Sequence, residues 1–222
     1  MNLPAQLFPE DLLWLANFLF LFVLGRAVWY APWRKLLGNN VRVNAMVAVT
    51  LGAFFIWQMQ AGIRPGLNHH LLGATMFVLL FGWELAIFLM TLILTATLWR
   101  ANLDFSALGL NGLLTIVLPV WFSQTMLRLS QQHLPKTFFL FVLGNGFLCG
   151  VLAMLLTVLT IAITLALFSH YSWDYLQHRY LAFAPAMIFG EGFVTGALMT
   201  AFTLFQPEAV YNFDEDAYMT GK

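Results

Sequence analysis

The chain has 222 residues, of which 61% are hydrophobic and only 9% are charged, and its formal net charge is zero. Soluble domains carry about 25% charged residues, so this composition indicates a multi-pass membrane protein and argues against a nucleic-acid-binding surface. Without a long polar block or a Walker sequence, the chain is expected to form a single membrane domain, residues 1–222, with an acidic polar tail at about 207–222.

The apolar stretches predict the helices that cross the membrane. A spanning helix needs about 17–25 mostly apolar residues. In chain order the candidates are residues 12–30, 43–63, 71–99, 105–127, 137–168 and 180–205. The third stretch is interrupted by Gly82-Trp83-Glu84, so it is either one helix or two short helices that break at Gly82. We therefore predict an all-α polytopic bundle of six to seven helices.

The basic residues predict the orientation of the bundle and favour seven helices. Arg26, Arg34, Lys35 and Arg42 cluster between the first two spans, and no basic residue precedes them. By the positive-inside rule this loop is cytoplasmic and the N-terminus is outside. Seven helices place seven basic residues inside and three outside, whereas six helices place six inside and four outside. Each half of the broken third stretch is then too short to cross alone and needs shielding by its neighbours.

The N-terminus is not expected to be a cleavable signal. Residues 1–11 contain no Lys or Arg and carry Glu10 and Asp11, which is the reverse of a signal sequence. The mature chain is therefore expected to begin at or near Met1. With six or with seven helices, Met1 and the pair His69-His70 lie on the same, outer face.

The pair His69-His70 stands at the head of an apolar run. Imidazole is a suitable ligand for nickel, cobalt, copper and zinc, so one interpretation is a metal site; the other is two histidines wetted by a loop. Asn68 is a candidate N-cap for a helix that begins here. On a regular helix adjacent residues point about 100° apart, so at most one histidine would face the bundle centre unless the backbone is irregular.

Three further polar residues lie in or beside the spans. Glu191 is near the middle of an apolar run, where a carboxylate normally faces the bundle interior, either for function or as a structural clamp. Gly192 and Gly196 follow it with the spacing that permits close helix contact. Glu84 is solvated if Gly82-Trp83-Glu84 is a turn at the membrane surface. Asn111 makes either an interhelical hydrogen bond or a supporting contact to a site.

Four motifs in order give the chain a family resemblance. They are His70-Leu-Leu-Gly73, Phe81-Gly82-Trp83, Ala107-Leu-Gly-Leu-Asn111 and Glu191-Gly-Phe-Val-Thr195. The chain resembles, from its N-terminus to about Phe205, the CbiM/NikM family of substrate-capture membrane subunits of energy-coupling factor (ECF) ABC transporters for cobalt and nickel.

The resemblance implies a function and its partners. The expected function is uptake of a divalent transition metal, most simply cobalt or nickel, through the bacterial inner membrane. The metal is the transported substrate, and no permanent cofactor is implied. A coupling membrane subunit and ATPase subunits are the expected partners besides the lipid bilayer. Neither H-E-x-x-H nor G-x-S-x-G occurs in the chain, so an intramembrane enzyme is not expected.

The resemblance also implies a set of metal ligands. In that family the N-terminus folds back into the bundle, and nitrogen ligands hold the metal in a near-planar set. Carried over, Met1 supplies its amino group and His70 an imidazole, while His69 is a substitute or second ligand. Asn111 and Glu191 match motif positions and are assigned supporting or packing roles.

The second residue departs from the family pattern. Asn2 stands where the family has a histidine, and an amide is a poor ligand for nickel or cobalt beside an imidazole. Either His69 restores the lost nitrogen, or the ion differs, or the site no longer captures metal. In the last case the chain is a non-transporting relative that acts as a membrane partner or assembly protein.

Overall fold

The computed structural model describes residues 2–60, 62 and 66–220, and within these ranges it contains helices and no β-strand. The α-helices are α1 (Glu10–Tyr30), α2 (Trp33–Leu37), α3 (Asn40–Gln58), α4 (Ala74–Phe81), α5 (Trp83–Arg100), α6 (Leu108–Gly112), α7 (Leu118–His133), α8 (Cys149–Phe168), α9 (Trp173–Arg179) and α10 (Ala184–Phe205). A π-helical segment, Leu113–Val117, joins α6 to α7, and another, Leu140–Leu148, leads into α8.

Six helical stretches in the described part of the chain are long and apolar enough to cross a membrane. They are Glu10–Tyr30, Asn40–Gln58, Trp83–Arg100, Phe105–His133, Leu140–Phe168 and Trp173–Phe205. The prediction of an all-α, multi-pass membrane protein is therefore confirmed. Large apolar side chains of α1 point out of the bundle, as contact with lipid requires; they include Trp14, Phe18, Phe22 and Trp29.

The predicted break at Gly82 is confirmed. Gly82 has a φ of 86°, a conformation that favours glycine, and it separates α4 from α5. The prediction that both halves are too short to cross is wrong for the second half, because α5 has 18 residues. Helix α4 has 8 residues and is about 12 Å long. The described residues contain six candidate spans, so the predicted number of seven is reached only if this half-helix is counted with them.

Helix α4 lies at the centre of the bundle. All of its residues are buried, and it contacts α5, α7, α8 and α10. This burial shields its short apolar segment, as expected for a half-helix at membrane depth.

Glycines bring α10 close to the helix that contains α8. A Cβ atom added to Gly192 would lie 2.7 Å from the carbonyl oxygen of Phe147, and one added to Gly196 would lie 3.0 Å from the Cβ of Phe147. A Cβ atom added to Gly150 would in turn lie 3.3 Å from the Cα of Gly192. The predicted close helix contact at Gly192 and Gly196 is confirmed, and it fixes Glu191 against the bundle interior.

The segment after α10 folds back onto the bundle, and we call residues 206–218 the strap. Its three central carboxylates are exposed, as predicted for an acidic tail: Asp214, Glu215 and Asp216. The apolar residues of this segment are not exposed, since Val210, Phe213 and Tyr218 are buried. The Phe213 ring centroid lies 5.0 Å from that of Phe141 and 5.1 Å from that of Tyr218, so aromatic contacts attach the strap.

Candidate metal site

The N-terminal segment is folded into one end of the bundle. The backbone N–H of Asn2 donates to Oδ1 of Asn68 (2.9 Å). The backbone N–H of Leu3 donates to Oδ1 of Asn111 (2.8 Å), and Nδ2 of Asn111 donates to the carbonyl of Leu3 (2.9 Å). Asn2 and Leu3 are both buried. Met1, the expected amine ligand, lies outside the described residues.

The loop that carries the histidines does not begin a helix. Helix α4 begins at Ala74, after Gly73, whose φ is 74°. The prediction that Asn68 is an N-cap is therefore wrong, because its side chain accepts from Asn2 and donates to Oε1 of Gln60 instead. Because the backbone before α4 is irregular, adjacent residues are not restricted to helical directions.

Both histidines are buried in this loop. The exposed fraction is 2% for His69 and 1% for His70. A regular helix would bury at most one of them, so the irregular backbone is what allows both rings into the bundle.

His69 is fixed by Tyr180. Its Nε2 lies 3.0 Å from the carbonyl oxygen of Tyr180, and its ring stacks on the Tyr180 ring with centroids 4.3 Å apart. A carbonyl only accepts hydrogen bonds, so Nε2 carries the proton and Nδ1 carries a lone pair. That Nδ1 is buried and has no hydrogen-bond partner in the described part of the chain.

His70 has the opposite tautomer. Its Nδ1 lies 3.0 Å from the carbonyl oxygen of Leu71, so Nδ1 carries the proton and the lone pair is on Nε2. Nε2 is also buried without a partner among the described residues. The ring packs 4.6 Å from the Trp57 ring, and the Trp57 indole N–H donates to the carbonyl of Leu72 (3.1 Å). Metal-binding histidines commonly donate the other ring N–H to a carbonyl in this way.

Burial keeps both imidazoles neutral. Desolvation lowers the pKa of His69, and it lowers the pKa of His70 well below its ordinary value of 6.5. Neutral imidazole is the form that binds a metal ion, so both rings are ready for ligation at neutral pH.

Glu191 fastens the histidine loop to α10. Its Oε2 accepts from the N–H of Leu72 and its Oε1 from the N–H of Gly73, both at 2.7 Å. Because both side-chain oxygens accept a short bond, Glu191 fixes the chain between His70 and the first residue of α4.

The structure brings some of the predicted residues together and separates others. Asn2, His69 and His70 meet at one end of the bundle, with Asn111 and Glu191 fixing the segments that carry them. Glu84 lies in the first turn of α5, beyond the far end of α4. Within the described ranges, no three His, Cys, Asp or Glu side chains gather closely enough to hold a metal ion. The ligand set therefore needs donors of another type.

Two supporting residues were missed by the sequence analysis. Tyr180 holds His69 through its main-chain carbonyl, a group that every residue has, so its identity gives no signal for this role. Trp57 lies near the end of α3, where tryptophan is common as an interfacial anchor, but here it is buried against His70.

The sequence matches the family described as "CbiM: Cobalt uptake substrate-specific transmembrane region" over residues 2–209. The chain belongs to this family. The match includes Asn2, the histidine loop and Glu191, so the candidate site lies inside the CbiM region. No curated protein sequence matches the chain significantly.

Two solved structures share the CbiM-family fold of this chain. One is described as a truncated transition metal transporter; it is 21% identical, with 92% of this chain and 98% of that chain covered and a TM-score of 0.74. The other is described as a transition metal transporter; it is 20% identical, with 92% and 93% covered and a TM-score of 0.75. At these identities the likeness establishes the arrangement of the helices.

Proposed function

We propose that this CbiM-family protein is the membrane subunit that captures a divalent transition metal, cobalt or nickel, for uptake into a bacterial cell. The observation that carries the proposal is that one ring nitrogen of each histidine, Nδ1 of His69 and Nε2 of His70, is buried without a partner among the described residues. Each ring donates one N–H to a backbone carbonyl, and each keeps an unpaired, buried lone pair. Two unpaired lone pairs inside a membrane bundle are unfavourable unless a ligand occupies them.

The remaining ligands would come from the N-terminal segment. Oδ1 of Asn2 is a third buried acceptor without a partner among the described residues, and Asn2 is linked to the histidine loop through Asn68. The family resemblance implies the amino group of Met1 as a further nitrogen donor. An amide oxygen is a weaker ligand than imidazole for these metals, so we expect a lower affinity than a histidine at position two would give.

In this proposal the metal is the substrate and the chain is not an enzyme. The histidine end faces outside, as the basic residues between α1 and α3 predict, and the metal is released on the cytoplasmic side of the inner membrane. The chain has no Walker sequence, so separate ATPase and coupling membrane subunits would supply the energy.

One alternative function has a specific observation in its favour. Asn2 replaces the family's chelating histidine, and the described residues contain no cluster of three acidic, histidine or cysteine ligands. A chain that kept the fold and lost the site would act as a membrane partner or assembly protein without transporting metal.

Metal content separates the two functions. The protein, with its native N-terminus and no N-terminal tag, is purified in detergent, loaded with nickel or cobalt, washed and analysed by mass spectrometry. Capture predicts about one metal ion per chain, lost in the double variant His69→Ala/His70→Ala. The matched control is His133→Ala/His178→Ala, because both of these histidines are exposed. A parent protein that retains no metal under any loading condition supports the non-transporting function.

A further inference from the structure

The C-terminal end of α4 lies inside the bundle, where its last carbonyl groups need hydrogen-bond donors. A helix leaves its final C=O groups unpaired, and the residues at this end of α4 are buried. The strap supplies the donors. The backbone N–H of Tyr211 donates to the carbonyl of Leu80 (2.9 Å), and the N–H of Asn212 donates to that of Leu79 (3.3 Å).

The Asn212 side chain adds a third bond to this end of the helix. Its Nδ2 donates to the carbonyl of Val78 (2.8 Å), which also accepts from the backbone N–H of Gly82 (2.9 Å). The two backbone N–H groups thus pair the carbonyls of Leu79 and Leu80, and the Asn212 side chain adds a second bond to the Val78 carbonyl.

The strap also contacts two basic residues, Lys35 of α2 and Arg42 of α3. Arg42 donates from Nε to the carbonyl of Glu208 (2.9 Å). The Arg42 guanidinium lies 5.6 Å from the Tyr211 ring centroid, and Nζ of Lys35 lies 5.9 Å from it. These contacts hold Tyr211 and Asn212 in register with α4.

Helix α4 connects this end to the histidine loop. Its residues are all buried, and the two residues before it, Leu72 and Gly73, are held by Glu191. Helix α3 contacts both ends: Trp57 bonds to Leu72 of the loop, and Arg42 bonds to the strap. The 15 steps along α3 from Arg42 to Trp57 rise about 22 Å, so these two contacts lie near opposite ends of α3.

We infer that Asn212 is a positioning residue for metal capture, acting through α4 on the loop that carries His69 and His70. The inference rests on the proposed function for its effect on metal affinity. Without the Nδ2 donor, the C-terminal end of α4 loses part of its cap, and the rigid, buried helix passes the displacement to Gly73. The coupling is reciprocal, so metal at the loop also stabilises the strap.

The test compares variants that differ in one donor. Asn212→Asp keeps the shape but turns an acceptor toward the Val78 carbonyl, whereas Asn212→Ser keeps a hydroxyl donor. Glu215→Gln is the matched control, because this exposed carboxylate lies in the same strap. Hydrogen exchange of a peptide that covers residues 66–73 is measured without metal. We expect exchange roughly tenfold faster in Asn212→Asp than in the control, and near the parent rate in Asn212→Ser.

A second measurement gives the effect on capture. Nickel affinity is expected to fall roughly tenfold in Asn212→Asp and to be recovered in Asn212→Ser. If Asn212→Asp does not purify as a folded protein, Asn212→Ala compared with Asn212→Ser makes the same comparison.

The inference is overturned if the loop exchanges at the control rate in the donor-free variant. It is also overturned if exchange accelerates equally in every peptide, since that result means global destabilisation. A parent protein that does not bind nickel contradicts the proposed function, and the exchange measurement without metal still decides the role of Asn212.

Discussion

Asn111 pairs with both backbone polar groups of Leu3: its Oδ1 accepts from the N–H at 2.8 Å and its Nδ2 donates to the carbonyl at 2.9 Å. The amide side chain thus gives Leu3 the two bonds that a neighbouring β-strand would give. This pairing fixes the residue that follows Asn2, and it places Asn2 beside Asn68 and the histidine loop.

Replacing Asn111 with alanine is expected to release the N-terminal segment. Three buried hydrogen bonds are lost, two with Leu3 and one with the Ala107 carbonyl, and both polar groups of Leu3 are left unpaired. This should destabilise the protein by roughly 2–4 kcal/mol. Thermal unfolding in detergent measures the loss, and metal content measures its effect on capture. Asn44→Ala is the control, since Asn44 is exposed on α3. Equal melting temperatures for the two variants would contradict a structural role for this pairing.

Glu191→Gln tests the attachment of the histidine loop to α10. Glutamine has one acceptor oxygen, so it keeps one of the two bonds to Leu72 and Gly73 and turns its NH₂ group toward the other N–H. We expect a loss of roughly 1–3 kcal/mol in stability and a weaker affinity for metal. Calorimetry of unfolding measures the stability, and titration with nickel measures the affinity. Glu208→Gln is the control, because the Glu208 carboxylate is exposed whereas that of Glu191 is buried. Parent-like values in both would mean that the loop is held by other contacts.

The two histidines make stability depend on pH. Desolvation lowers the pKa of both below the ordinary value of 6.5, and a histidine in the unfolded chain keeps that ordinary value. The unfolded state therefore binds more protons below pH 6.5, and the free energy of unfolding falls as the pH drops below it. Above this pH both states are neutral at these positions, and no dependence arises from them.

The measurement is the melting temperature between about pH 7.5 and about pH 5.5, in parent protein and in His69→Ala/His70→Ala. The parent should lose stability as the pH falls, and the double variant should lose less. Identical slopes would show that other groups cause the dependence.

Asn2→His is expected to strengthen metal binding. The substitution replaces an amide with an imidazole and restores the family pattern, so the affinity for nickel or cobalt should rise at least roughly tenfold. Asn2→Ala is the matched variant: it keeps the backbone N–H that bonds to Asn68 and removes Oδ1. Titration calorimetry with all three proteins compares the affinities. An unchanged affinity in Asn2→His would exclude position two from the ligand set.

The hydrophobic pattern predicted the spans and the break at Gly82, because membrane length and glycine conformation act locally along the chain. It did not predict that α5 alone is long enough to cross, since the boundary between α4 and α5 divides the apolar run unequally. Gly192 and Gly196 predicted close helix packing correctly, because small side chains are themselves the cause of that contact.

The sequence drew attention to the two histidines of the candidate site, but it gave little information about the groups around them. Imidazoles in an apolar run are rare enough to attract attention, whereas the groups that orient them are main-chain carbonyls of Tyr180 and Leu71. Asn68 was interpreted as a helix cap because local sequence offers that role, but long-range pairing with Asn2 replaced it. The local sequence gives no indication of a role for Asn212, because its partner Val78 is 134 residues earlier in the chain.

The 134-residue separation of Val78 and Asn212 has a consequence for the synthesis of the protein. Val78, Leu79 and Leu80 leave the ribosome long before Tyr211 and Asn212, which later bond to their carbonyls. Until those residues are synthesised, the carbonyl groups of Leu79 and Leu80 lack these hydrogen-bond donors. A nascent chain interrupted before residue 211 therefore contains every membrane-spanning stretch and still lacks the donors that close the central half-helix. Synthesis of residues 211 and 212 thus supplies the last hydrogen bonds of the central half-helix.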